Sequence, residues 1–417
     1  MFFGWLSSGQ EVGTGMKKRA LIISTVCGFL WQFERNDVRL LQENGYEIHY
    51  ASNFGNPVYT YDKNAYDRMG IITHHIPIQK SPGCWKENRK ALKVLTEIIK
   101  KENIQLIHCH TPMGGVLGRL AGKRAGTGVY VIYTAHGFHF YQGAPRKNWL
   151  FYFRAEKFLA RMTDGIVTIN QEDYENARKF HMKKNGKVYK IPGVGLDLKK
   201  FFPRKNKRAE IRMKYSIPED AFCMVTAANL DPEKNHATVL KALAQRNDKQ
   251  IFYAICGNGP EKEYLQKLTR QYGLEDQVVF MGFQEHMEDV LQVADVFVFP
   301  SLREGLGMAA LEALACGIPV IAADNRGTRE YVENGKNGFL CEGANVYHYA
   351  QAIKKLKENP DLREKMGKAG CRTAQRFAVS QTERVMRQVY RDAERSDERY
   401  GWNRDQYHHG SVQSKSI

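Results

Sequence analysis

A chain of 417 residues with 43% hydrophobic and 26% charged residues is composed like an ordinary soluble globular protein and is too long for one core, so two domains are expected. Fibrous and disordered classes are excluded, and the apolar runs fall far short of the roughly 20 residues that a membrane-spanning helix needs. Lys and Arg outnumber Asp and Glu by 62 to 45, unevenly: residues 1–197 hold 28 basic against 16 acidic residues, and residues 198–417 hold 34 against 29. The front half suits an anionic partner, whether nucleic acid, an anionic membrane or a phosphorylated substrate, unless its charge serves only to solvate the surface.

In chain order, residues 1–15 lack a basic residue ahead of a patch too short for a secretory signal, and read as an extension with no fold of its own. Strand patterns follow at 19–24, 47–52, 71–76, 106–110, 129–135 and 165–169. They alternate with helical patterns such as 31–44, 88–102 and 115–124, which implies βαβ units and a parallel sheet. The segment Ile191-Pro-Gly-Val-Gly-Leu-Asp197 interrupts both periods and is the expected boundary. Strands at 223–228, 251–256, 278–282, 296–300 and 319–323, with helices at 237–245, 261–272 and 309–316, then repeat the alternation. The expected fold is α/β, with two doubly wound Rossmann-like domains, 16–197 and 198–375, facing across a cleft. A charged helix at 376–399 with apolar Val385, Val389 and Ala393 can return to the first domain, and 400–417 read as a disordered tail. Eight scattered cysteines without a C-x-x-C pair indicate reduced, cytosolic usage.

Ligands of doubly wound sheets bind beyond the carboxyl ends of the strands, so functional residues are sought there. The densest signal is Ser301-Leu-Arg-Glu-Gly-Leu-Gly-Met-Ala-Ala-Leu-Glu312, after a strand and opening a helix. Gly305 and Gly307 allow close backbone approach, and the unpaired N–H groups of a helix start favour a diphosphate. Glu304 repels phosphate, so its functional reading is to accept hydrogen bonds from sugar hydroxyls. Glu312, two turns deeper near the same face, can meet a ribose. The plainer alternative is a capping Glu304 and a solvated Glu312.

The pair Glu304 and Glu312, the run Ala313-Leu-Ala-Cys-Gly-Ile-Pro-Val320 and the Gly327-x-x-Glu330 element resemble the family 4 retaining glycosyltransferases of GT-B fold. His108-Cys-His-Thr-Pro-Met-Gly-Gly-Val116, Tyr133-Thr-Ala-His-Gly-Phe-His-Phe140 and Gly143-Ala-Pro145 resemble their bacterial exopolysaccharide and capsule branch, and the likeness spans about residues 17–392. It implies transfer of a hexose from a nucleotide sugar, by family precedent a UDP-sugar, to a lipid-linked saccharide. The donor would be held mainly by the second domain and the acceptor mainly by the first, in the cytoplasm at the inner membrane face. Glu304 would then hold the donor sugar and Glu312 the ribose, with amides of Gly305, Leu306, Gly307 and Met308 on the diphosphate. Lys234 matches the phosphate-binding lysine. Asn229 stands where the family usually has a phosphate-binding arginine, which shifts charge neutralisation toward Lys234, helix amides and Arg303 or Arg326. His136 matches the histidine beside the forming bond, and Gly28 the glycine of a donor-side loop.

His108 and His110 share a strand face, but sequence spacing supplies no carboxylate or cysteine to complete a metal site. With a family that works without an obligatory divalent ion, no metal and no cofactor are expected. His110, Arg146 and Lys147 are candidates on the acceptor side. The aromatic and basic stretch 137–153 can also insert Phe and Trp at an anionic inner-membrane surface, with Arg146 and Lys147 on headgroup phosphates, unless its aromatics are core. Two rivals remain: a GT-B nucleotide-sugar 2-epimerase, against which the glutamate pair argues, and a basic nucleic-acid-binding protein, for which no recognition module of known spacing is present.

Overall fold

Apolar runs bounded by turn residues become strands in the computed structural model, which describes residues 18–55, 62–126, 128–204 and 206–397. The expected extension at 1–15 and tail at 400–417 lie outside the described residues. The first sheet contains β1 (Lys18–Val26), β2 (Tyr46–Asn53), β3 (Ile71–His75), β4 (Leu106–His110), β5 (Tyr130–Ala135), β6 (Gly165–Thr168) and β7 (Lys187–Lys190). The second contains β8 (Phe222–Ala227), β9 (Ile251–Cys256), β10 (Val278–Gly282), β11 (Val296–Phe299), β12 (Val320–Ala323) and β13 (Gly338–Cys341). All pairings are parallel, in the orders β3-β2-β1-β4-β5-β6-β7 and β10-β9-β8-β11-β12-β13. Both are doubly wound, and the strand order reverses between β1 and β4 and between β8 and β11.

Two strands have no counterpart in the sequence reading. β7 is Lys-Val-Tyr-Lys at a sheet edge with no fully buried residue, and β13 is Gly-Phe-Leu-Cys at the other sheet's edge, so neither needs a long apolar run. The pattern read as one helix over 31–44 is two, Gly28–Phe33 and Arg35–Glu43, broken at Glu34.

Each sheet has an apolar layer of its own, one around Leu21, Ile107 and Val131 and one around Met224, Tyr253 and Val298. A third cluster joins the domains through Ile169, Ile191, Leu196, Leu306 and Phe377. Two chain segments cross between the domains side by side: Leu196 N–H donates to the Phe377 carbonyl (2.8 Å) and Val379 N–H to the Leu196 carbonyl (3.0 Å). Beyond that crossing the helix Val379–Asp397 lies on the first domain, burying Met386, Val389, Tyr390 and Ala393. Its polar flanks pair with that domain through Lys18–Glu394 (3.1 Å), Lys187–Asp392 (2.9 Å), Arg387–Glu43 (2.7 Å) and Arg39–Glu383.

Candidate active site between the two sheets

The two strands that flank the second sheet's switch point deliver the first pair of polar side chains. After β8 the chain passes exposed Asn229 and forms a short turn, Pro232–Lys234; after β11 it passes Ser301 and reaches Glu304. Lys234 Nζ donates to Glu304 Oε1 at 2.5 Å. Arg303, alongside, lies 5.7 Å over the Tyr141 ring and 3.8 Å from Glu233. The helix Met308–Ala315 then begins, and among the described residues the N–H groups of Gly305, Leu306 and Gly307 have no acceptor. Such a run of free donors at a helix start is a ready anion cradle. Met308 opens the helix partly buried, and the Leu306 side chain is buried.

The glycines have a different immediate reason from the one their spacing suggested. A Cβ on Gly305 would lie 2.1 Å from the His136 carbonyl oxygen, and one on Gly307, whose φ is +92°, would lie 2.6 Å from the Phe299 ring. Protein backbone and an aromatic ring, rather than a ligand, exclude side chains at both positions. Glu312 is partly exposed, and burial pushes its carboxyl up to about 7, against the lowering influence of Lys200.

Across the cleft, His136 follows β5 with 22% of its side chain exposed, and burial lowers its imidazole to about 4, so it is neutral at pH 7. Beneath it lies a buried polar cluster. His136 Nε2 is 3.3 Å from His110 Nδ1, and Glu34 Oε1 is 3.5 Å from the former and 3.4 Å from the latter. His108 bonds Thr134 Oγ1 (2.8 Å) and Tyr390 OH (3.0 Å) and lies 3.5 Å from Asp37. Burial raises Glu34 well above the usual carboxylate range, reinforced by neighbouring Asp37; burial likewise raises Asp37 to about 6 and lowers His108 to about 3.

This cluster corrects two expectations. His110 is fully buried, so it cannot touch an acceptor and reaches the cleft only through His136. The fold also supplies the carboxylates that spacing did not: donor atoms of Glu34, His110 and His136, and of Asp37, His108 and His110, lie within 4.8 Å of one another, close enough to hold an ion. Gly28 is buried in the first turn after β1 and leads into the break at Glu34. The sequence did contain a signal for these acids. Glu34 and Asp37 interrupt the apolar stripe of Leu30, Val38 and Leu41, where an acid has no reason to sit unless it is partnered.

Arg326, a candidate for the diphosphate, is engaged elsewhere. It donates to Asp173 (2.6 Å), to the Phe138 carbonyl (2.7 Å) and to the Glu304 carbonyl (3.3 Å), clamping the second domain to the first. Asn170 Nδ2 donates to the Gly305 carbonyl (2.9 Å), and Glu330 accepts from Gln171 N–H (2.6 Å) and Lys190 (2.9 Å). Asn170 caps its own helix by accepting from Asp173 N–H, so the Asn-x-x-Asp pattern after a strand was a readable clue to this junction. The stretch 137–153 divides: Phe138 and Phe140 are core, Trp149 and Phe153 turn inward, and Arg146 and Lys147 are exposed.

Comparison with known proteins agrees with this architecture. The family profile for glycosyl transferases group 1 matches residues 207–373, and that for glycosyltransferase family 4 matches residues 36–194. A Bacillus subtilis (strain 168) protein named "Putative glycosyltransferase EpsD" is 36% identical over 379 residues, 90% of this chain and 97% of that protein. The Escherichia coli "UDP-Gal:alpha-D-GlcNAc-diphosphoundecaprenol alpha-1,3-galactosyltransferase" is 30% identical over 284 residues, 66% of this chain and 72% of that protein. Among solved structures, Anabaena Alr3699/HepE in complex with UDP has a TM-score of 0.71 at 20% identity, covering 91% of this chain and 100% of that one. Sucrose-phosphate synthase from Thermosynechococcus elongatus has a TM-score of 0.74 at 21% identity, with the same coverage of this chain and the whole of the other. With two parallel-sheet domains of the GT-B fold and both halves matched, the chain belongs to the family 4 glycosyltransferases.

Proposed function

We propose that this glycosyltransferase is retaining and moves a hexose from a UDP-sugar to a lipid-linked saccharide during exopolysaccharide assembly at the cytoplasmic face of the membrane. The observation that carries the reading is the meeting of Lys234, Glu304 and three unpaired amides at one switch point, directly opposite His136. A cation and free N–H groups suit a diphosphate, a carboxylate suits sugar hydroxyls, and a neutral imidazole suits a hydrogen bond to a sugar oxygen. The names of the EpsD and galactosyltransferase relatives, and the UDP and UDP-glucose bound to HepE, support the substrate classes. The 2-epimerase alternative is not favoured by the same relatives.

In the proposed mechanism the acceptor hydroxyl attacks from the face that the diphosphate leaves, and a diphosphate oxygen takes its proton. Lys234, beside Glu304, supplies its charge to the diphosphate, and the amides of Gly305 to Met308 share the charge. Asn229 adds only a neutral contact. The family likeness, whose members work without an obligatory divalent ion, carries the further reading that the reaction proceeds without a divalent metal. A donor panel assayed for nucleotide release with lipid extracts, with and without chelator, tests this reading, and NMR of the product anomer tests retention. An inverted anomer, or loss of turnover on chelation restored by a divalent ion, would overturn the corresponding part.

A further inference from the structure

Residues 146–160 form one continuous helical segment: a turn at Arg146–Asn148, a π-helical turn at Trp149–Phe153 and an α-helix at Arg154–Ala160. Its inner side is core. Trp149 and Phe153 lie 5.5 and 5.2 Å from the Phe140 ring, Phe153 also stands 5.5 Å from Phe180, and Leu159 and Ala160 are buried. Its outer side is unlike an ordinary solvated face. Leu150 is 47% exposed, Phe151 68%, Tyr152 41% and Phe158 53%. Single exposed apolar residues are commonplace, but four large ones on a single short segment mark an interaction site.

The charges around these side chains decide what the site suits. Arg146, Lys147, Arg154, Lys157 and Arg161 are all exposed, and among the described residues none of them pairs with a carboxylate. Glu156 is the one acid between 146 and 161, and it is withdrawn from the surface: it is buried and bound in a bidentate pair to Arg119, at 2.7 and 3.1 Å. Lys147, Phe151, Arg154, Phe158 and Arg161 recur at helical spacing and alternate cation with aromatic ring along one face. Apolar rings that enter a nonpolar layer, edged by cations with no acid among them, complement an anionic bilayer: rings meet acyl chains and cations meet headgroup phosphates.

The geometry points to the outer face of residues 146–161 as the surface by which this enzyme docks on anionic lipid. The expected role of Trp149 is thereby corrected, since it packs inward and Leu150, Phe151 and Phe158 take its place. The segment follows His136 after only residues 137–145, and Asn148 Nδ2 donates to the His139 carbonyl (2.7 Å), so docking sets the cleft beside the bilayer. This deepens the lipid-linked acceptor reading and rests on it for its purpose, although the docking itself is measurable without donor or acceptor.

Vesicle flotation tests it, comparing neutral phosphatidylcholine with vesicles that also contain phosphatidylglycerol. The full chain is expected to float with the anionic vesicles and much less with the neutral ones, and to be released by high salt. Arg154→Glu with Arg161→Glu should lower the partition coefficient by about thirtyfold or more, from roughly a five- to sixfold step for each of the two cations lost near the surface. Phe151→Ser with Phe158→Ser should lower it at unchanged net charge, and both double variants should retain wild-type melting and turnover on a short-chain, water-soluble acceptor. Failure of the wild-type chain to float, or equal flotation of all three proteins, overturns the docking face. Flotation as expected without transfer to any lipid-linked acceptor overturns the acceptor reading instead.

Discussion

Glu312 shows how burial sets what a carboxylate can offer. With its carboxyl pushed up to about 7, it carries a proton over much of the acidic range, and only the ionised form can accept from both hydroxyls of a ribose. Donor KM should therefore rise as pH falls through about 7, and Glu312→Gln should abolish that limb while raising KM about ten- to a hundredfold throughout, with kcat less affected. Initial rates across pH 6 to 8.5 check both. Glu304→Gln, which keeps volume but loses charge-assisted acceptance, should instead remove most turnover in a protein that melts normally. Asp37 gives a stability signature of opposite sense to the histidines beside it. A carboxyl held at about 6 in the fold, against 3.8 ordinarily, binds its proton more tightly when folded, so its contribution is full below about 3.8 and is lost as pH rises through 6. Neutral His108 and His136 contribute above about 6.5 and lose that contribution as pH falls toward 3 and 4. Asp37→Asn removes the loss that the Asp37 carboxyl brings as pH rises and relieves Glu34 of an acidic neighbour, so relative to wild type the unfolding free energy should shift toward the variant by on the order of 2 kcal/mol from pH 4 to pH 7. Urea midpoints at the two pH values measure it.

At the scale of elements, the loop between β11 and its helix fits a single arrangement of the domains. A methyl group on Gly305 would be driven 2.1 Å from the His136 carbonyl, and main-chain atoms on the far side cannot yield as a flexible side chain would. Gly305→Ala should thus cost at least tenfold in kcat/KM by separating His136 from the donor loop, yet leave each sheet's own core intact, so melting should move little; paired kinetics and calorimetry distinguish this from general misfolding. The strands were legible because fully buried parallel strands are continuous apolar runs: β9 and β10 fall where the pattern put them, at Ile251–Cys256 and Val278–Gly282. β7 and β13 were not, since four-residue edge strands need only one apolar side. Of the site, the residues directly after strands could be read, whereas Glu34, Asp37 and Tyr390 come together only through packing of a broken helix and a helix some 350 residues later. No local period encodes such a meeting.

Across the whole molecule, the position of the domains rests on a two-stranded crossing and a polar clamp. The crossing, Leu196 against Phe377 and Val379, holds the two halves at one edge whichever way the cleft stands. The clamp, Arg326 on Asp173 and on the Phe138 carbonyl, bridges the two domains across the cleft, while its bond to the Glu304 carbonyl lies within the second domain. Asp173 also accepts from Phe138 N–H (3.1 Å) and Asn170 Nδ2 (2.9 Å) within its own domain, so it stays anchored when the arginine is lost. An unpaired carboxylate in a shut, dry interface is costly, and opening returns it to water; Arg326→Met should therefore shift the chain toward an open form rather than unfold it. Small-angle scattering without donor should show a larger radius of gyration, and donor KM should rise at least tenfold, because each molecule must close against a less favourable equilibrium before it binds productively. Asp173→Asn should act in the same direction. If the two groups work as one clamp, the double variant should be little worse than either single one, with a coupling of about 1 to 3 kcal/mol in donor binding; strictly additive losses would mean that Arg326 and Asp173 act on the cleft separately.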